Sequence, residues 1–181
     1  NPNDFGAINK MIRDKNIFIF EDNRESLGAE YKGKKTGTFG DIGTFSTYYS
    51  HHISTIEGGF VTTDNEELYH ILLSLRAHGW TRNLPKKNFV ANKSDDWFKE
   101  SFRFVLPGYN VRPIEISGAI GVKQLEKTPS FLEKRRENAK LFVKLFKNDP
   151  NYLIQKDIDK SSWFGFSLII KKDSKLKRKE I

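Results

Sequence analysis

The chain has 181 residues, 31 Lys+Arg against 23 Asp+Glu for a formal net charge of +8, fifteen Phe and no Cys. The missing cysteines exclude a disulfide-stapled domain, a Cys-ligated zinc module and a cysteine nucleophile within these residues, and a 37% hydrophobic content excludes a disordered chain. Half of the charge excess comes from Lys171 onward, a terminal run rather than the basic stripe of a nucleic-acid surface, and no apolar run reaches the about 18 to 20 residues of a membrane span; the expectation is one ordinary-sized cytoplasmic unit with neither nucleic-acid nor membrane partners.

In chain order, residues 4–15 predict a short amphipathic helix, with Asp4 as its cap and Phe5, Ile8, Met11 and Ile12 at helical spacing. Ile17-Phe18-Ile19-Phe20 reads as a buried parallel strand ending at Glu21-Asp22. In open α/β sheets that carboxyl end is where ligands bind. Gly28 to Gly43 holds five of the thirteen Gly and predicts turns between short extended pieces. Thr44–Tyr49 and Gly59–Thr63 are β-prone. Asn65–His78 has a helical pattern with Asp64 as its expected cap and His70 on its surface. Gly79–Pro107 reads as a long polar loop with one helical turn at most, the kind that in a compact protein is usually functional or disordered. Pro113–Leu125 and Pro129–Lys147 read as two helices, and Trp163–Ile170 as a strand. The order predicts an α/β chain that changes character at Thr128–Pro129.

Asp22 alone is ambiguous, because Asp at a strand end is commonly a turn or cap carboxylate. The functional alternative is a carboxylate that keeps a heterocyclic nitrogen protonated. Its surroundings are Glu21-Asp22-Asn23-Arg24-Glu25-Ser26-Leu27-Gly28-Ala29 and, downstream, Gly40-Asp41-Ile42-Gly43-Thr44-Phe45-Ser46-Thr47-Tyr48-Tyr49-Ser50-His51-His52-Ile53-Ser54-Thr55-Ile56-Glu57-Gly58-Gly59. In this order the two motifs resemble the DegT/DnrJ/EryC1/StrS sugar aminotransferase family, which acts on nucleotide-linked keto-sugars. The implied fold is part of a fold-type I pyridoxal-phosphate (aspartate aminotransferase-like) large domain, residues 1–128, plus the start of the small C-terminal α/β domain, residues 129–181. The chain is expected to be an internal stretch of a protein about twice as long, inactive by itself.

The family's cofactor-binding lysine lies five residues after its phosphate-binding serine. Five residues after Ser46 stands His51, and no Lys occurs between Lys35 and Lys86 although the chain has 22. Imidazole cannot bind the cofactor covalently as that amine does, yet it can act as a general base near neutral pH. Lys-to-His at this position resembles the family's 3-dehydratases. Leu75-Arg76-Ala77-His78-Gly79-Trp80-Thr81-Arg82-Asn83-Leu84-Pro85, Phe104-Val105-Leu106-Pro107-Gly108-Tyr109-Asn110-Val111-Arg112-Pro113 and Ser162-Trp163-Phe164-Gly165-Phe166 narrow the resemblance to those that take GDP-linked 4-keto-6-deoxymannose towards colitose and O-antigen. A related CDP-sugar enzyme needs an iron–sulfur cluster on cysteines, which this chain lacks.

The resemblance implies that pyridoxal 5'-phosphate and pyridoxamine 5'-phosphate are the cofactor forms and L-glutamate the amino donor. His51 is then the base and Asp22 the partner of the pyridine nitrogen. Glu25 lies near the ring hydroxyl, Ser46 binds the phosphate, and Asn110 reaches that phosphate from the other subunit of a homodimer. His78 and Arg82 are weaker substrate-binding candidates. His52 is the competing base, expected to point opposite His51 on an extended segment. A metal bound by this histidine pair lacks further ligands at suitable spacing. The rival readings are an aminotransferase homologue that is inactive or regulatory, and a basic binding module.

Overall fold

The computed structural model describes residues 1–180. Helix α1 (Phe5–Ile12) starts at Asp4, whose carboxylate accepts the Ala7 amide at 2.9 Å. It buries Phe5, which stacks on Phe39 with centroids 4.1 Å apart. Strands β1 (Phe20–Asp22), β4 (Ile42–Ser46) and β5 (Gly59–Thr62) form one sheet in the order β1-β4-β5, with β1 parallel to β4 and β4 antiparallel to β5. The short strands β2 (Glu30–Tyr31) and β3 (Lys34–Lys35) make a separate hairpin between β1 and β4.

The first strand does run parallel to a neighbour, as expected, but the predicted strand 17–20 is displaced and is not buried. The strand begins at Phe20, and Ile17, Phe18 and Phe20 are 49%, 54% and 58% exposed. Strand alternation turns Glu21, not the phenylalanines, toward the packed side, and among the described residues β1 has a paired neighbour on one edge only.

Helix α2 (Glu66–Leu75) is capped by Asn65, whose Oδ1 accepts the Leu68 amide at 3.1 Å, and not by Asp64. His70, expected on the surface, is 3% exposed and stacks on Phe89 at 5.8 Å. The long 79–107 segment folds back to cover it. That segment is ordered around a buried carboxylate: Glu100, in helix α3 (Trp97–Ser101), accepts the Thr81 hydroxyl at 2.5 Å and the Ser94 amide at 2.8 Å.

Helix α4 (Glu115–Phe146) is a single 32-residue helix that joins both predicted helices and contains Pro129. Around the proline, which donates no N–H, the Thr128 hydroxyl donates to the Gln124 carbonyl at 3.0 Å and the Ser130 hydroxyl to the Lys127 carbonyl at 2.8 Å. Of the predicted strand Trp163–Ile170 only Leu168–Ile170 (β7) is extended; it pairs with β6 (Tyr152–Ile154). This hairpin joins α4 through Phe146–Tyr152 and Phe142–Phe166 ring contacts at 6.1 and 5.1 Å.

Between β6 and β7 the chain returns to the sheet region. Lys160 bridges Glu30, the Lys32 amide donates to Asp159 at 2.5 Å, and Arg136 on α4 donates to the Gly28 carbonyl at 3.0 Å.

Candidate functional site

The two acids at the end of β1 have opposite fates. The Glu21 side chain turns inward, and its carboxylate accepts the backbone amides of Gly37, Phe39 and Gly40 at 2.7, 2.5 and 2.6 Å. It closes the turn that leads into β4 and is not available for chemistry. Asp22 points the other way and is exposed, with one oxygen accepting the Arg24 amide at 3.2 Å. Glu25, on the following turn, is paired with Arg24 at 2.8 Å. In the parallel register Asp22 lies opposite Thr44. Ser46, two residues on and on the same strand face, therefore sits at the carboxyl end of the neighbouring strand, where its hydroxyl accepts the Tyr48 amide at 3.2 Å.

Asp22 and Glu25 line one pocket of about 350 Å³ together with Thr36, Gln155, Phe164 and Gly165 among others. Phe164 reaches from this pocket to the histidines, with its ring edge-on to His51 at 5.3 Å and tilted to His52 at 5.6 Å. Residues 50–53 form a turn, not the extended segment expected, yet the two imidazoles still differ sharply. His52 is 4% exposed and its Nε2 lies 3.4 Å from the Ser162 carbonyl. Burial, and then the nearby Arg135 charge, push its pKa down to about 4. His51 is half-buried; its backbone N–H donates to the Tyr48 carbonyl at 3.0 Å, and its Nδ1, like that of the buried His52 and His70, has no hydrogen-bond partner.

A second group gathers elsewhere. The Ala77–Asn110 and Trp80–Phe104 bridges lay the 77–82 stretch beside 104–110. They place exposed His78, in a left-handed conformation at φ 63°, near Asn110, and Arg82 5.0 Å from the Trp80 ring centroid. Of the predicted site residues only Asp22 and Glu25 line the pocket of about 350 Å³; Ser46, His51, His78, Arg82 and Asn110 do not. A larger pocket of about 490 Å³ is lined by Asp41, Asp64, Glu66 and Glu67 among others and contains none of the predicted site residues.

Sequence reasoning assigned no role to Glu21, Phe164, Arg135 or Arg136. The dense Trp-Phe-Gly-Phe run at 163–166 was the available signal for Phe164; nothing local marks the arginines, whose partners are distant backbone carbonyls.

The residues present fit pyridoxal phosphate. A carboxylate on a pocket wall, a serine at the end of the adjacent strand and an unpartnered imidazole nitrogen are the groups needed for a ring nitrogen, a phosphate and a mobile proton. With no lysine in residues 36–85, holding would be noncovalent.

All 181 residues match the DegT/DnrJ/EryC1/StrS aminotransferase family. The chain is 60% identical over 182 residues to the GDP-4-keto-6-deoxy-D-mannose 3-dehydratase of Escherichia coli O55:H7, covering 100% of this chain and 47% of that protein. The solved E. coli GDP-4-keto-6-deoxy-D-mannose-3-dehydratase with bound hydrated PLP superposes with a TM-score of 0.97 at 61% identity, over 99% of this chain and 46% of that one. A ColD variant with Lys in place of a histidine and Asn in place of the serine just before it superposes at 0.96 and 60% identity, over 99% and 48%. The chain spans about half the length of the curated relatives it matches. It belongs to the DegT/DnrJ/EryC1/StrS aminotransferase family, and its fold is the corresponding part of the aminotransferase fold.

Proposed function

We propose that this member of the family is a pyridoxal-phosphate-dependent 3-dehydratase of a nucleotide-linked 4-keto-6-deoxyhexose, with GDP-4-keto-6-deoxymannose as substrate and L-glutamate as amino donor, serving dideoxysugar (colitose, O-antigen) synthesis. The observation that carries it is His51. A half-buried imidazole with an unpartnered Nδ1 stands at the family's lysine position, against the aromatic ring that lines the Asp22 pocket. Ser50-His51 is the one Ser-His pair in the chain, which supports matching it to the Ser-His pair exchanged in the ColD variant.

When bound, pyridoxal phosphate supplies an electron sink for charge developing beside its amine. Asp22 would keep the pyridine nitrogen protonated, Glu25 would face the ring hydroxyl, and the Ser46 hydroxyl would donate to the phosphate. His51 would take and hold the proton in transit at an imidazole nitrogen, with no amine nearby to deliver it to the sugar. His52, held neutral and committed to the Ser162 carbonyl, is a core residue in this reading.

Asn110 is exposed and outside the Asp22 pocket, which supports its completing the phosphate site of a second subunit in a homodimer; His78 and Arg82 beside it would meet the nucleotide sugar. Residues 1–128 would belong to the cofactor-binding domain and 129–181 to the small domain, α4 running through both. Among the described residues no helix is long and apolar enough to cross a membrane, in keeping with a cytoplasmic enzyme.

The test is an absorbance titration. In a chain of the relatives' full length, pyridoxal phosphate should bind without a covalent link, and L-glutamate should convert its absorbance to that of the amine form; His51→Lys should instead bind it covalently. Absence of binding, or of a covalent link in His51→Lys, would overturn the assignment. Carried in a chain of the relatives' full length, His51→Asn should retain cofactor and release no 3-deoxy sugar; persisting turnover would remove His51 as the base.

A further inference from the structure

Two consecutive arginines of α4 face the loop that carries Phe164. Arg135 donates through a single nitrogen to the carbonyls of Trp163 and Phe164, both at 3.1 Å, and Arg136 donates to the carbonyls of Ser161 and Gly28, both at 3.0 Å. Between these anchors Trp163 is 4% exposed and held at φ 48°, a conformation that a bulky residue keeps only when its surroundings over-determine it. Its indole N–H donates to Asp157 at 3.2 Å, and its amide to the Ser161 hydroxyl at 3.1 Å. The strained residue directly precedes the ring that touches His51, and the carbonyls on both sides of the Trp163–Phe164 amide nitrogen belong to Arg135.

We propose that Arg135 is a positioning residue, fixing the Trp163–Phe164 backbone so that the Phe164 ring, which lines the pocket with Asp22 and Glu25, holds the His51 imidazole in one orientation. The proposal rests on reading His51 as the base. Arg135 touches neither imidazole by hydrogen bond; its effect passes through Phe164. An aromatic edge fixes the plane of an imidazole without binding either nitrogen, which leaves Nδ1 unpartnered as observed. Misplacing a reacting group by about 1 Å costs on the order of 100-fold in rate, so the loop's anchoring matters to turnover as well as to folding.

The experiment follows the imidazole signals of the 181-residue chain by NMR without cofactor, with the His51 signal assigned by its loss in His51→Asn. Arg135→Gln and Phe164→Leu are each expected to displace the His51 signal as the Phe164 ring current is lost. If Arg135 acts through Phe164, the double variant should lie no further away than Phe164→Leu alone. Arg135→Lys should return the signal towards the wild-type position, since one nitrogen makes both bonds. Arg135→Met, which keeps the side-chain stem, is the second removal variant should Gln not fold. A folded removal variant with an unmoved His51 signal, additive displacements in the double variant, or a Lys variant as displaced as Gln would each overturn the proposal. No arm uses pyridoxal phosphate, so failure of the cofactor titration would remove the functional reading and leave this result standing on its own.

Discussion

Neighbouring acids at one strand end divide stability from chemistry. Glu21 is buried under three backbone amides, whereas Asp22 is exposed on a pocket wall. A glutamine at 21 would set an NH2 group against those donors, and the expected cost is about 3 kcal/mol of folding stability. Asp22→Asn should stay within about 0.5 kcal/mol of wild type yet lose pyridoxal-phosphate binding. Urea denaturation and the absorbance titration, run on both variants, check the pair; equal stabilities would refute the structural role of Glu21. The strand-end position of both acids was readable from sequence. Which one faces inward was not, because a register error of one residue exchanges the faces, and the expected strand was placed three residues early.

At the scale of elements, α4 shows where local pattern runs out. Pro129 and the polar residues before it read as a boundary, yet the helix continues across them, with the apolar positions Leu132 and Ala139 beyond the proline buried. Leu132 seats over Gly28, which has φ 81°; a Cβ built there would lie 2.3 Å from Leu132 Cδ1. Gly28→Ala combines a left-handed conformation with a clash, and the expected cost is about 3 kcal/mol, read as a lowered Tm. Gly33, at φ 79° with open space around its missing Cβ, is the control: alanine there should cost about 1 kcal/mol. Equal losses at the two positions would show that the Leu132 contact contributes nothing.

At the scale of the whole molecule, the chain is closed by contacts between its early turns and residues 157–164. One of these is the buried His52 against the Ser162 carbonyl, with Arg135, His51 and the N-terminal amine as the charged or titratable groups that lower its pKa alongside burial. Its pKa of about 4 lies below the ordinary 6.5, so folding favours the neutral ring. That contribution is fully present above pH 6.5 and is lost as pH falls towards 4, where the unfolded chain takes up a proton that the folded one refuses. The size is on the order of 2 kcal/mol. Glu30, held at about 2 by Lys35 and Lys160 against an ordinary 4.5, loses its contribution only below that window. His52→Gln should therefore flatten the decline in stability between pH 6.5 and 4.5, measured by urea denaturation; an unchanged slope would count against the assignment.

What the sequence by itself determined is the family and the cofactor chemistry that membership implies, because these rest on residue identity at short spacings. It also marked the first strand as parallel and placed the caps at Asp4 and, one residue early, at Asp64; which strand pairs with it came from the structure. Tertiary structure alone decided which of two adjacent histidines is core and which is half-buried, that Phe164 joins His51 to the pocket of Asp22 across more than a hundred residues of chain, and that arginines on α4 hold the loop between them. Those outcomes depend on which distant backbone carbonyls and ring faces come together on folding, and a carbonyl has no signature in the sequence.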